Sequence, residues 1–139
     1  MLQVTYLREH KQEALAGLKK RNNLDAGERI EQVIQLDDER KKMQVELDNK
    51  LARANQIAKE VGELFKSGKA AEANELKAET AAIKEESRLI ESKLEEHETA
   101  IREILYTLPN VPCYMIPAGG GPDDNVVAEE FGTIPTLHE

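Results

Sequence analysis

The sequence runs to 139 residues, with 27 acidic against 19 basic side chains and a formal charge of -8. Aromatic residues make up only 4% of it, Trp is absent and 33% is charged, which argues against a thick globular core and for long helices or coiled coil. No apolar run approaches the roughly 18 residues that a membrane crossing needs, and MLQVTYLREH lacks the basic-then-apolar plan of a signal peptide. The single cysteine, Cys113, excludes an internal disulfide and fits a reducing, cytoplasmic setting. With a negative net field, any contact with nucleic acid has to use a local basic patch.

The first predicted element is a short helix over about 3–21. Leu2, Tyr6 or Leu7, Leu15 and Leu18 fall roughly on one stripe, and Lys19-Lys20-Arg21 stand in its last turn, where the helix dipole favours cations. Asn22-Asn23 and Asp25-Ala26-Gly27 punctuate the chain, with Asp25 or a neighbour expected to cap the next helix.

A long helix is predicted over about 28–66. Arg40, Leu47, Ala54 and Val61 are spaced by sevens, and Met43, Lys50, Ile57 and Leu64 form the companion row, with Leu51, Ala58 and Phe65 beside it. This is a heptad pattern, imperfect at Arg40 and Lys50. Ser67-Gly68 is the only strong breaker before the next periodic run, so a turn at 67–69 joins two antiparallel neighbours.

The second long helix is predicted over about 70–108. Ala73, Leu76, Thr80, Ile83, Ser87, Ile90, Leu94, His97, Ile101, Ile104 and Leu108 alternate three and four apart. The seam is small near the turn and bulky near the base, so the tip is expected to be the more mobile end. At ~1.5 Å rise per residue, helices of about 37 residues give an arm on the order of 55 Å.

Pro109 ends this helix, since it lacks an N–H and restricts the residue before it. Pro112, Pro117 and Gly119-Gly120-Gly121 make a linker, and the alternation of Asn125–Phe131 reads as a strand with no partner in the chain. The fold class expected is all-α: a long antiparallel two-helix coiled-coil hairpin with a short N-terminal helix, an extended Pro/Gly-rich linker and an orphan strand. Residues 1–108 form the arm domain, and 109–139 are a linker and first strand leading onward into a further domain.

Catalytic chemistry finds little support. AGGGP is followed by Asp-Asp-Asn rather than Lys-Ser/Thr, so it is no phosphate loop. His10, His97 and His138 have no metal-ligand spacing, and His97 falls on the seam, the place of a structural histidine. Cys113 has no nearby basic partner to make it a nucleophile. Glu85-Glu86 and Glu95-Glu96 read as solvated coil faces.

The outer half of the arm carries Lys50, Arg53, Lys59, Lys66, Lys69, Lys77, Lys84 and Arg88. Lys59 and Lys66 share one stripe and Lys77, Lys84 and Arg88 another. Such stripes are either ordinary coiled-coil surface charge or a track for a phosphate backbone, and a folded RNA, read by shape and phosphates, suits such an arm.

The ordered features resemble the N-terminal part of bacterial seryl-tRNA synthetase over essentially the whole chain. MLQVTYLREH and LKKR match the family's opening, and LDDERKKMQVELDNKLARANQIAKEVG places Asn55, Lys59, Glu60 and Gly62 on its pattern. The most specific match is the linker LPNVPCYMIPAGGGPDDNVVAEEFG, through Pro109, Asn110, Pro112, Pro117, Asp124, Asn125, Val126 and Gly132. Ala54, Ala58, Cys113, Phe131 and Glu129-Glu130 depart from the usual residues. The resemblance implies an arm that binds serine tRNA at its long variable arm, with Lys50, Arg53, Asn55, Lys59, Lys66, Lys69, Lys77, Lys84 and Arg88 as candidate contacts. It implies a following class II catalytic domain that uses ATP and magnesium to attach serine, and a homodimer formed through that domain. The chain itself is then expected to hold no catalytic residue, metal or cofactor and to be free to exist as a monomer. The competing reading is a non-enzymatic interaction or scaffold hairpin.

Overall fold

A computed structural model describes residues 1–133 and 135. All regular structure among them is helical: α1 (Val4–Glu9), α2 (Lys11–Lys20), α3 (Ala26–Lys66), α4 (Ala70–Thr107) and a 3-10 turn at Pro122–Asp124. α3 and α4 form the antiparallel hairpin, while α1 and α2 both dock on α3 at its base.

The expected single N-terminal helix is broken in two at His10, whose backbone leaves the helical region at φ -121°, ψ 33°. No Gly or Pro stands there, so the break has no local cause. The Tyr6 and His10 rings stack across it with centroids 5.0 Å apart. Of the alternatives at the stripe, Leu7 is the buried one, together with Ala14 and Leu18.

Two helix ends follow the same chemistry. Asn22 adopts φ 59° past the end of α2, and its N–H and that of Asn23 close onto the carbonyls of Lys19 and Leu18. Gly68 adopts φ 77° past α3, with its N–H and that of Lys69 closing onto Phe65 and Leu64. Each is a Schellman cap, with Asn or Gly in the left-handed position that other residues resist. At the start of α3, Asp25 holds the cap position, but its carboxylate pairs with Arg29 and makes no cap hydrogen bond.

The core is concentrated at the base, where Leu7, Leu18, Ile30 and Val33 are fully buried and Ile101, Leu105 and Leu108 close over them. A smaller cluster of Leu47, Ile90 and Leu94 follows along the arm, with Met43 against it. Toward the tip the seam narrows to Ile57 and Ala73. Both heptad rows of α3 point inward, whereas the flanking row is outside, with Leu51 44% and Phe65 46% exposed. Two helices alone cover only a narrow stripe of each other.

α4 stops where Pro109 requires, with Leu108 already extended at φ -87°, ψ 119°. The linker then folds back across α2. The Lys20 ammonium donates to the carbonyls of Tyr114 (2.8 Å) and Ile116 (2.9 Å), and the Arg21 guanidinium donates to that of Asn110 (3.1 Å). The Gly119 N–H returns a bond to the Lys20 carbonyl at 3.1 Å. Gly17 makes this approach possible: a Cβ there would lie 2.5 Å from Cγ1 of Val111.

The strand expected at Asn125–Phe131 does not form. A strand is defined by the partner that takes its N–H and C=O groups, and no described segment lies alongside. His138 and the remaining tail positions 134, 136, 137 and 139 lie outside the described residues.

Candidate nucleic-acid interface

The nine candidate residues divide by what already holds them. The Lys50 ammonium bonds Glu86 at 2.5 Å, and hydrogen bonding to that carboxylate raises its pKa, followed by a smaller opposing effect of burial. Arg53 grips Glu79 with two bonds of 3.0 and 3.3 Å and lies 3.7 Å from Glu60. Lys69 pairs with Glu72 beside the turn at 3.3 Å. Lys77 stands 4.5 Å above the Phe65 ring, an arrangement in which the ring face attracts the cation. Asn55, Lys59, Lys66, Lys84 and Arg88 are exposed and make no ion pair or side-chain hydrogen bond among the described residues.

This division gives the arm two unlike faces. On one, Lys50 and Arg53 of α3 are zipped to Glu86 and Glu79 of α4. On the other, α4 presents Lys77, Lys84 and Arg88 alongside the outward apolar row of α3. Lys77 covers Phe65 there, and Lys84 and Arg88 flank an open groove with Leu51, Ala54 and Ala81. Glu85 and Glu91 also border that groove. Lys59 and Lys66 keep their own stripe, on the side of α3 turned away from the seam.

Nothing in the residue order by itself signals the Lys50–Glu86 and Arg53–Glu79 pairs, because they depend on the register between the helices. That register is set by the turn: Lys50 and Glu86, 36 residues apart, are centred on Gly68. The one available hint is Lys50 itself, a charge in a seam row that calls for a partner.

A second electrostatic centre lies at the base and has no counterpart among the candidates. Asp37 is 5% exposed and takes Arg8 at 2.9 Å, Arg40 at 2.9 Å and Lys41 at 3.0 Å. Burial pushes its carboxyl up, but hydrogen bonds from Lys41, Arg40 and Arg8 outweigh this and hold it below the ordinary value. Arg8 also reaches Asp38 at 2.5 Å and the Ile34 carbonyl at 3.0 Å. These contacts tie α1 to α3 and leave no open acid–base pair there.

A helical base with a projecting antiparallel arm, bearing unpaired cations beside the groove and on the back of α3, has the form of a reaching module. The sequence model of the seryl-tRNA synthetase N-terminal domain matches residues 1–112. The chain belongs to that family. It is 35% identical to the serine–tRNA ligase of Mesorhizobium japonicum, aligning 98% of this chain with 32% of that one. It is 32% identical to the serine–tRNA ligase of Trichodesmium erythraeum, over 95% of this chain and 31% of that one. The chain thus spans about a third of the length of these curated relatives. In three dimensions it is similar to the seryl-tRNA synthetase of Pyrococcus horikoshii crystallised with ATP. The TM-score is 0.80 at 28% identity, covering 91% of this chain and 28% of that one.

Proposed function

We propose that the chain is the tRNA-binding arm of a serine–tRNA ligase. Residues 1–108 act as the arm and the stretch from 109 as the lead into a catalytic portion. In this reading the arm engages the long variable arm of serine tRNA through backbone and shape. A class II catalytic domain, homodimeric, then attaches serine to the tRNA with ATP and magnesium. The observation that carries the reading is the hairpin itself: a family arm with unpaired cations along α4 beside the groove and along the back of α3. A duplex RNA offers phosphates and 2′-hydroxyls across a wide minor groove and little readable sequence, which suits a rigid rod bearing spaced cations.

The pairing sorts the nine candidates into two groups. Lys77, Lys84 and Arg88 on one face and Lys59 and Lys66 on the back of α3 are the proposed phosphate contacts, with Asn55 beside them. Lys50, Arg53 and Lys69 serve first to hold the arm together. The arm supplies placement and not chemistry: a fixed rod turns a distant RNA feature into correct positioning of the reacting end. A scaffold hairpin is the weaker reading, since the family match runs through the base and into the linker.

The test is fluorescence anisotropy of the chain with serine tRNA, intact and with the variable arm deleted, at low and moderate salt. Affinity that falls with salt and is lost on deletion supports the reading. Equal affinity for both RNAs would overturn recognition of the variable arm.

A further inference from the structure

The seam contains one histidine, which the proposed RNA contacts do not use. His97 sits on α4 between Leu94 of the outer cluster and Ile101 of the base cluster, its side chain 24% exposed. Its Nδ1 lies 2.9 Å from the carbonyl oxygen of Lys93, and its Nε2 lies 3.1 Å from Oε2 of Glu39 on α3. A carbonyl oxygen only accepts, so this contact is a hydrogen bond when Nδ1 carries the hydrogen. A neutral ring would then turn the bare lone pair of Nε2 toward a carboxylate oxygen, acceptor against acceptor. Both contacts are satisfied together when Nε2 is protonated as well, which makes the ring an imidazolium against a carboxylate. The opposite assignment, a neutral ring against a protonated Glu39, is disfavoured: hydrogen bonds from His97 and then Gln35 hold the Glu39 carboxyl below its ordinary value, against a smaller push from burial.

We propose that His97 and Glu39 form a proton-operated clamp between α3 and α4, closed while His97 is an imidazolium and loosened when it loses that proton. At the level of His97 the helix packed against α4 is α3, so the groups that can compete are few. On α3 they are Glu39, with Gln35 bonded to it and Lys42 acting on it through its charge. On α4 they are Lys93, which contributes its carbonyl, and the neighbouring Glu96 and Glu98. The clamp stands where the base core gives way to the slimmer seam, so it governs how firmly the arm is closed as it leaves the base. Only the doubly protonated ring satisfies both contacts, so the closed state belongs to the lower pH and is lost when the ring gives up a proton.

The test combines the ring ¹⁵N shifts of His97 with thermal midpoints of the 139-residue chain at pH 5.5 and 8.5. The unaltered chain, His97→Gln, Glu39→Gln and, as a control for the other base-region histidine, His10→Gln are compared. The clamp requires both ring nitrogens protonated at pH 5.5. It also requires a midpoint that falls by about 3 °C more in the unaltered chain than in His97→Gln or Glu39→Gln on going to pH 8.5. His10→Gln keeps the unaltered profile. A singly protonated His97 ring at pH 5.5, or the same pH dependence with and without His97, overturns the proposal. Should a variant fail to fold, the ring nitrogens of the unaltered chain decide alone.

Discussion

The Arg8 guanidinium of α1 and the buried Asp37 carboxylate of α3 are joined by two hydrogen bonds, of 3.2 and 2.9 Å, across 29 residues of sequence. This is the buried polar tie between α1 and the long helix, while Lys11 of α2 pairs with Glu31 of α3 at the surface. Asp37→Ala removes an acceptor shared by three cations, Arg8, Arg40 and Lys41. Hydrogen bonds to charged groups are each worth ~1.5–3 kcal/mol, and Arg8 remains partly solvated, so a loss of about 2 kcal/mol is expected in urea denaturation. The pH dependence has a definite sign. The Asp37 carboxyl is held low in the folded chain, so its contribution is complete above the unfolded value near 4 and fades as pH falls through the folded one. Asp37→Ala should therefore lose less stability on acidification than the unaltered chain does.

The two faces of the arm should differ in RNA binding. Lys77→Glu with Lys84→Glu is expected to weaken serine tRNA binding at least about tenfold and to reduce its salt slope by about two, with helicity unchanged by circular dichroism. Unchanged affinity would remove this face from the proposed interface.

The zipped face gives the converse result. Glu79→Gln with Glu86→Gln releases Arg53 and Lys50, which are bonded to those carboxylates. Exposed pairs contribute roughly 0.2–1 kcal/mol each, so thermal stability should drop only slightly. Two further cations become available, and tRNA affinity measured by anisotropy should rise a few-fold. A fall in affinity would mean that the pairs preform the binding surface.

Gly17 is tested by its methyl. A Cβ at that position meets Val111 at 2.5 Å and Pro112 at 3.3 Å. Gly17→Ala has two opposed effects: Ala favours helix by ~1 kcal/mol, while overpacking costs ~1–3 kcal/mol. The linker is the softer partner, so the clash should lift it from α2. Limited proteolysis between 110 and 121 is expected to accelerate several-fold in Gly17→Ala while the arm stays intact.

Hydrogen exchange should follow the seam. Backbone amides near Ile30, Val33, Ile101 and Leu105, in the main core, are expected to exchange far more slowly than those near Ile57 and Ala73, where burial is thinnest. Uniform protection along the arm would contradict the gradient.

The hairpin was legible because its apolar period is sustained and its breaker is single: the turn falls at 67–69, between helices ending at Lys66 and starting at Ala70. Three features were not legible, each for a physical reason. Leu51, Ala58 and Phe65 stand beside the companion row in the heptad pattern, but one partner helix covers only two rows, which leaves them outside. The His10 break reflects docking of both short helices on α3 rather than any local breaker. The alternation at Asn125–Phe131 encodes a capacity to pair, and capacity does not supply the partner. Among the candidate contacts, charge spacing identified stripes but could not distinguish Lys84, which is free, from Lys50, which is committed to Glu86, since only inter-helix register separates them.

Anchorage also has a mechanical side. From Asp37 to its end at Lys66, α3 extends about thirty positions beyond the base core, a cantilever on the order of 45 Å at ~1.5 Å per residue. Each degree of tilt at its root moves the far end by about 0.8 Å on that same length. Aim is therefore governed at the footing by residues that touch nothing at the tip: Leu7, Arg8, Leu18 and Asp37. A small loosening of that footing blurs the tip over distances comparable to a hydrogen bond, leaving every side chain along the beam chemically intact and out of place.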